Sequence, residues 1–241
     1  MSRKAILVVG AGDATGGAIA RRFAREGYAA VIVRRNAEQL APLAGQIRAE
    51  GGEVHPFGCD AREEEAVVAL VDRIERDIAP LEVAVFNIGA NVNFGVVETT
   101  ARVYRKVWEM AAFAGFLTGR EAARVMLPRG QGTILFTGAT ASLRGGKGFS
   151  AFAGAKFALR ALAQCMAREL GPQGIHVAHA IIDGAIDTAW IAANFPQRHA
   201  LKDQDGILDP DHIADAYWAL HAQPRDAWTH ELDLRPWMET F

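Results

Sequence analysis

Residues 8–23, VVGAGDATGGAIARRF, decide how this chain folds. An apolar run breaks into glycines and then into a pattern that keeps Ile19 and Phe23 on one helical face. Gly10, Gly12 and Gly16 let the backbone leave a strand, turn sharply and enter a helix, with Thr15 inside the turn. Such a helix start presents unpaired N–H groups and the positive end of the helix dipole, a site for an anion. Glycine turns between strand and helix also occur with no ligand. The spacing reads G-x-G-x-x-x-G, one residue longer than the common six-residue dinucleotide fingerprint. A carboxylate facing a bound anion is repelled, so Asp13 is expected to point away and cap the following helix.

Outward from this stretch, short apolar runs alternate with helical patterns to the end of the chain. Strands are expected in KAILVVG, AAVIVR, EVHPFGC, LEVAVFN, GTILFTG, IHVAHAII and HELDLR. Helices are expected at about 15–26, 36–50, 62–78, 100–127, 150–170 and 210–222. Near-continuous apolar strands separated by helices predict α/β architecture: a single Rossmann domain over 1–241, doubly wound, with a parallel sheet of about seven strands and helices on both faces. The weakly periodic region at about 185–209, with Trp190 and Phe195, is expected to be a lid over an apolar site.

The chain has 241 residues, half of them apolar and 22% charged, with a formal net charge of −2. That balance argues against nucleic acid as a partner. No apolar run reaches membrane-spanning length, and the first strand flows straight into glycines without a cleavage site, so a cytoplasmic protein is expected. Cys59 and Cys165 lack motif spacing and read as reduced core thiols. His176 and His179, at an odd offset on one strand, face opposite ways, and no metal site is expected. Trp218, Trp228 and Trp237 are expected in the core or at a subunit interface.

The second strand names the dinucleotide that the glycine turn would hold. An acid at its end suits the ribose hydroxyls of NAD, and an arginine suits the 2′-phosphate of NADP. Here it ends VIVRRN, with Arg34 and Arg35, which favours NADP(H) over NAD(H). Asp60, followed by Ala61 in CDARE, is placed either to accept from an adenine amino group or to cap a helix.

These motifs, in this order, resemble the short-chain dehydrogenase/reductase family over nearly the whole chain. GAGDATG stands for that family's T-G-x-x-x-G-x-G loop, with Gly10 and Gly16 at its first and third glycines and Ala14 at its second. FNIGA resembles the N-N-A-G segment through Asn87, Gly89 and Ala90, FAGAK resembles Y-x-x-x-K, and DGAIDT resembles P-G-x-x-x-T through Gly184 and Thr188. The resemblance implies an oxidoreductase using tyrosine as proton donor, lysine as its partner and ribose contact, serine to orient the carbonyl and asparagine as relay. Only Lys156 matches. Phe152, Ala139 and Ala111 stand at the other three positions, and Asp183 replaces the proline beside the expected nicotinamide, as a base or as a turn cap.

Two functions follow: an NADP(H)-dependent oxidoreductase with altered or weakened hydride transfer to a small, partly apolar substrate, or a non-catalytic NADP(H)-binding sensor or scaffold. The resemblance also implies a homodimer or homotetramer formed through the helices at about 100–127 and 150–170.

Overall fold

The computed structural model describes residues 3–240. Seven strands, β1 (Ala5–Val9), β2 (Ala29–Arg34), β3 (Val54–Gly58), β4 (Leu81–Phe86), β5 (Gly132–Thr137), β6 (Ile175–Ile182) and β7 (Glu231–Leu234), form one sheet in the order 3-2-1-4-5-6-7. Every neighbouring pair is parallel. Between the strands run α1 (Thr15–Arg25), α2 (Ala41–Ala49), α3 (Glu64–Asp77), α4 (Ala101–Trp108), α5 (Ala114–Met126), α6 (Ser150–Leu170), α7 (Ala189–Asn194), α8 (Pro196–His199) and α9 (Pro210–His221).

The period of two along each strand divides the core. Ala5, Leu7 and Val9 of β1 join the cluster made with α3, α5 and α6, through Val71, Leu117 and Leu159. Ile6 and Val8 join the opposite cluster, with Ile19 and Phe23 of α1, Leu43 of α2 and Tyr217 of α9. Because the sheet is covered on both faces, β1, β4, β5 and β6 are buried along their whole length, which is why they read as unbroken apolar runs. The chain leaves β1 toward β2 on one side and returns through β4 on the other. At that switch point the carboxyl ends of the strands part and a crevice opens.

Local differences from the sequence expectation have local causes. Asn36 accepts from the Glu38 backbone N–H, so the segment expected as one helix begins with a 3-10 turn, Ala37–Leu40, before α2. A π-helical turn, Glu109–Phe113, joins α4 to α5 where one uninterrupted helix was expected. The region at 185–209 is ordered into α7, α8 and a 3-10 turn, Ala200–Gln204, and its base is closed by the Ile186–Leu208 bridge. Cys165 is exposed, so the two free thiols are not both core residues. Trp237 is 76% exposed, with its Nε1 donating to the Gln204 carbonyl, whereas Trp218 packs on Phe23 and Trp228 stacks on His176. Among the described residues no helix is long and apolar enough to cross a membrane.

Candidate active site and cofactor cleft

A cleft of about 680 Å³ opens at the carboxyl ends of the strands, floored by the glycine turn and walled by the loops after β4, β5 and β6. Gly16 is needed for packing: a Cβ there would collide with the Gly10 carbonyl oxygen. Gly12 is different, since a Cβ built on it meets nothing within 4 Å and would stand in the open cleft. The floor is therefore left bare where none of the described residues requires it. Asn87 holds the turn from the far side, its Nδ2 donating to the Gly10 carbonyl at 3.2 Å.

The N-cap of α1 is Ala14, which offers no side-chain acceptor. Asp13 is exposed and lines the cleft mouth, so the expected capping by Asp13 does not occur. The first turn of α1 has no acidic residue either, and its N–H groups face the cleft without a side-chain partner. Thr15 is buried in that turn. Gly89 also lines the cleft, with open space at its Cα. Beside it Ala90 holds φ = +89°, a left-handed conformation that was not legible in the sequence.

A smaller cavity of about 170 Å³ adjoins the glycine turn and is lined by Arg34, Arg35, Asp60, Ala61 and Arg62, among others. Arg62 was not singled out in the sequence, although it stands only two residues after Asp60. Its guanidinium grips both carboxylate oxygens of Asp60, at 2.9 Å and 2.5 Å, and its backbone N–H donates to Oδ1. The bond to Arg62 holds the Asp60 carboxyl below the usual aspartate range. The N-cap of α3 is Glu63, so Asp60 does not cap that helix.

The deep wall holds Lys156, 2% exposed on α6. Its Nζ donates to the Thr137 carbonyl at 2.8 Å and the Ile88 carbonyl at 3.1 Å and lies 5.9 Å from the Phe152 ring. Burial pushes the ammonium down to about 8. Phe152 and Ala139 line the cleft one turn and one loop away, both apolar. Ala111 is fully buried inside the π-helical turn, packed toward Ala151 and Ala155, and does not line the cleft. Thr137 is tied to the other side of the sheet through Tyr217, 2.8 Å away.

Asp183, 1% exposed, accepts a hydrogen bond from the Thr140 hydroxyl on the neighbouring loop. It therefore joins two loops rather than capping its own turn. Gly184 lines the cleft, whereas Thr188 does not and instead caps α7, accepting from the Ile191 N–H at 3.1 Å. From the region at 185–209 only Ile186 and Arg198 reach the cleft. Trp190 and Phe195 pack on each other at a tilt, with ring centroids 5.4 Å apart, and are exposed, which corrects their expected place in an apolar pocket.

The sequence model of the short-chain dehydrogenase family matches residues 4–199. The chain is 30% identical over 216 residues to (21S)-21-acetoxyl-apo-melianone synthase of Melia azedarach, a stretch covering 85% of this chain and 78% of that protein. A solved short-chain dehydrogenase from Rhodopseudomonas palustris is 52% identical and superposes with a TM-score of 0.84 over 97% of this chain and 99% of that one. A metagenomic short-chain oxidoreductase solved in complex with NADP shares the fold at 23% identity, with a TM-score of 0.82 over 98% of each chain.

Proposed function

The chain belongs to the short-chain dehydrogenase family of oxidoreductases, and on that footing we propose that it binds NADP(H) in the cleft and works with hydride chemistry altered by the loss of the family's proton donor. The bare glycine floor carries this reading: Gly12 leaves space that none of the described residues fills, directly before the uncapped start of α1. Together they fit a pyrophosphate, whose charge a helix N-terminus favours. Arg34 and Arg35, at the end of β2, fit a 2′-phosphate, which favours NADP(H). On this reading Asp60 and Ala61, which line the smaller cavity, would contact the adenine, Asn87 braces the floor, and Gly89, Gly184 and Lys156, which line the cleft, would contact the nicotinamide ribose. Thr188 caps α7 at the start of the 185–209 region.

A bound nicotinamide supplies or accepts a hydride. The chain's own residues must handle the proton, and neither Phe152 nor Ala139 can donate or accept one. A positioned acid contributes roughly 10²–10⁴-fold, so carbonyl reduction by the family's usual route is slow here. The joint loss at Phe152, Ala139 and Ala111 also supports a second reading, a non-catalytic NADP(H)-binding sensor or scaffold. Ile186 and Arg198, the residues of the 185–209 region that line the cleft, favour the enzyme.

A fluorescence titration with NADPH and NADH tests the reading. The protein should bind NADPH about 10-fold or more tightly than NADH, and the R34S/R35S variant should lose that preference while its NADH affinity holds, as expected for loss of a charge-assisted phosphate contact. Equal affinity of the unaltered protein for both dinucleotides defeats the NADP assignment, and binding of neither defeats the cofactor site.

A further inference from the structure

The position after the missing serine holds a polar pair that the family pattern does not predict. Thr140 opens the short turn Thr140–Ser142 directly after Ala139, lines the cleft, and donates its hydroxyl proton to Asp183 Oδ1. Asp183 is buried at the end of β6; its Oδ2 makes no hydrogen bond and lies 3.8 Å from the Arg235 guanidinium, which also pairs with Asp233. A carboxylate has no proton to give, so the bond between the two has one polarity. Thr140 is the donor, and what remains for the cleft is its oxygen lone pairs.

An acceptor is the wrong partner for a carbonyl and the right one for a hydroxyl. We propose that Thr140 and Asp183 form the acceptor for a substrate hydroxyl, so that the cleft binds an alcohol and can take up its proton during oxidation. The cleft that Thr140 lines also carries Ala139, Ala141, Phe149, Phe152 and Ile186, apolar surface that suits a secondary alcohol on an apolar frame. In the step, the substrate O–H bond breaks and its proton passes to Thr140 Oγ1 as the proton of Thr140 passes to Asp183. The substrate C–H bond breaks, its electron pair leaves with the hydrogen as hydride to oxidised nicotinamide dinucleotide, and C–O becomes C=O. Asp183 ends protonated and later returns the proton to water. Thr140 touches the substrate; Asp183 acts through it. The proposal rests on the cofactor reading above.

Its test uses binding as well as turnover. With the NADP⁺-loaded protein, calorimetry compares 2-phenyl-2-propanol, an alcohol that cannot be oxidised, with acetophenone, a ketone of similar size. The alcohol should bind about 5–10-fold more tightly, the range of one hydrogen bond. Thr140→Val should erase that margin, and Thr140→Ser should keep it. Asp183→Asn, whose amide can donate to Thr140 and turn the hydroxyl proton toward the cleft, should also erase it. In turnover, oxidation of 1-phenylethanol with NADP⁺ should fall roughly 100-fold in Thr140→Val and Asp183→Asn, in the range of a lost proton acceptor, and the rate of the unaltered protein should slow in heavy water. An alcohol margin unchanged in Thr140→Val, or a preference of the unaltered protein for the ketone, overturns the proposal even if the Asp183 variant fails to fold. NADPH binding with no oxidation of 1-phenylethanol, cyclohexanol or 2-butanol overturns the dyad and leaves the cofactor site standing. Failure of NADPH to bind overturns both.

Discussion

Lys156 carries its charge where water scarcely reaches, held by two backbone carbonyls and pushed down to about 8 by burial. An unfolded lysine titrates near 10.5, so between pH 8 and 10.5 the unfolded chain binds more protons and stability rises with pH, by about 3 kcal/mol in all. Below pH 8 both forms are protonated and the lysine contributes no slope. Denaturant melts of the cofactor-free protein and of Lys156→Met across that range should differ by this rise. Tyr28, pushed up to about 12 by burial, opposes it in both proteins above pH 10 and cancels in the difference. A second residue-scale consequence lies at Ala90, whose φ of +89° costs an L-residue roughly 1–2 kcal/mol. Ala90→Gly should raise stability by about 1 kcal/mol, seen as a higher Tm. At this scale the sequence told the roles unevenly. The place of Lys156 was legible from FAGAK, but Ala90 looks like any alanine, because only the fold sets its φ. The grip of Arg62 on Asp60 depends on a turn conformation that spacing alone does not specify.

The strand–turn–helix unit of β1 and α1 separates two uses of glycine that look alike in the sequence. Gly16 keeps α1 against the turn, and Gly12 keeps space for something else. Gly16→Ala should cost about 1–3 kcal/mol through overpacking. Gly12→Ala should leave the Tm unchanged or slightly raised and yet weaken NADPH binding; the two readouts moving together in both variants contradicts the division. Most elements were readable because a parallel sheet buried on both faces leaves long apolar runs, as in IHVAHAII, which is β6 residue for residue. The π-helical turn at Glu109–Phe113 was not, since it changes hydrogen-bond register without changing the apolar pattern. The short helices at 189–199 were missed for a related reason: at six and four residues they are too short to show a period.

At the scale of the molecule, the sheet order 3-2-1-4-5-6-7 places the glycine turn, Lys156 and Thr140 around the main cleft and Arg34 in the smaller cavity that adjoins it. The outer faces of α4, α5 and α6 carry exposed Tyr104, Trp108, Phe116 and Phe157, with Trp108, Phe113 and Phe116 stacked in a row. So much exposed aromatic surface supports a homodimer or homotetramer formed across these helices. The variant W108E/F157E should shift light-scattering mass to that of one chain with its circular dichroism unchanged; an unaltered protein that already runs as one chain contradicts the assembly. The central proposal, that the cleft is an NADP(H) site without the family's carbonyl-reducing acid, is tested most directly by turnover. NADPH oxidation would be followed with a panel of aromatic, aliphatic and alicyclic ketones, for the protein as it is and for F152Y/A139S. A slow or undetectable rate that rises roughly 100-fold or more on restoring the tyrosine and serine is the predicted result, the range of a positioned acid. A protein that reduces a ketone equally fast with Phe152 and Ala139 in place would contradict it.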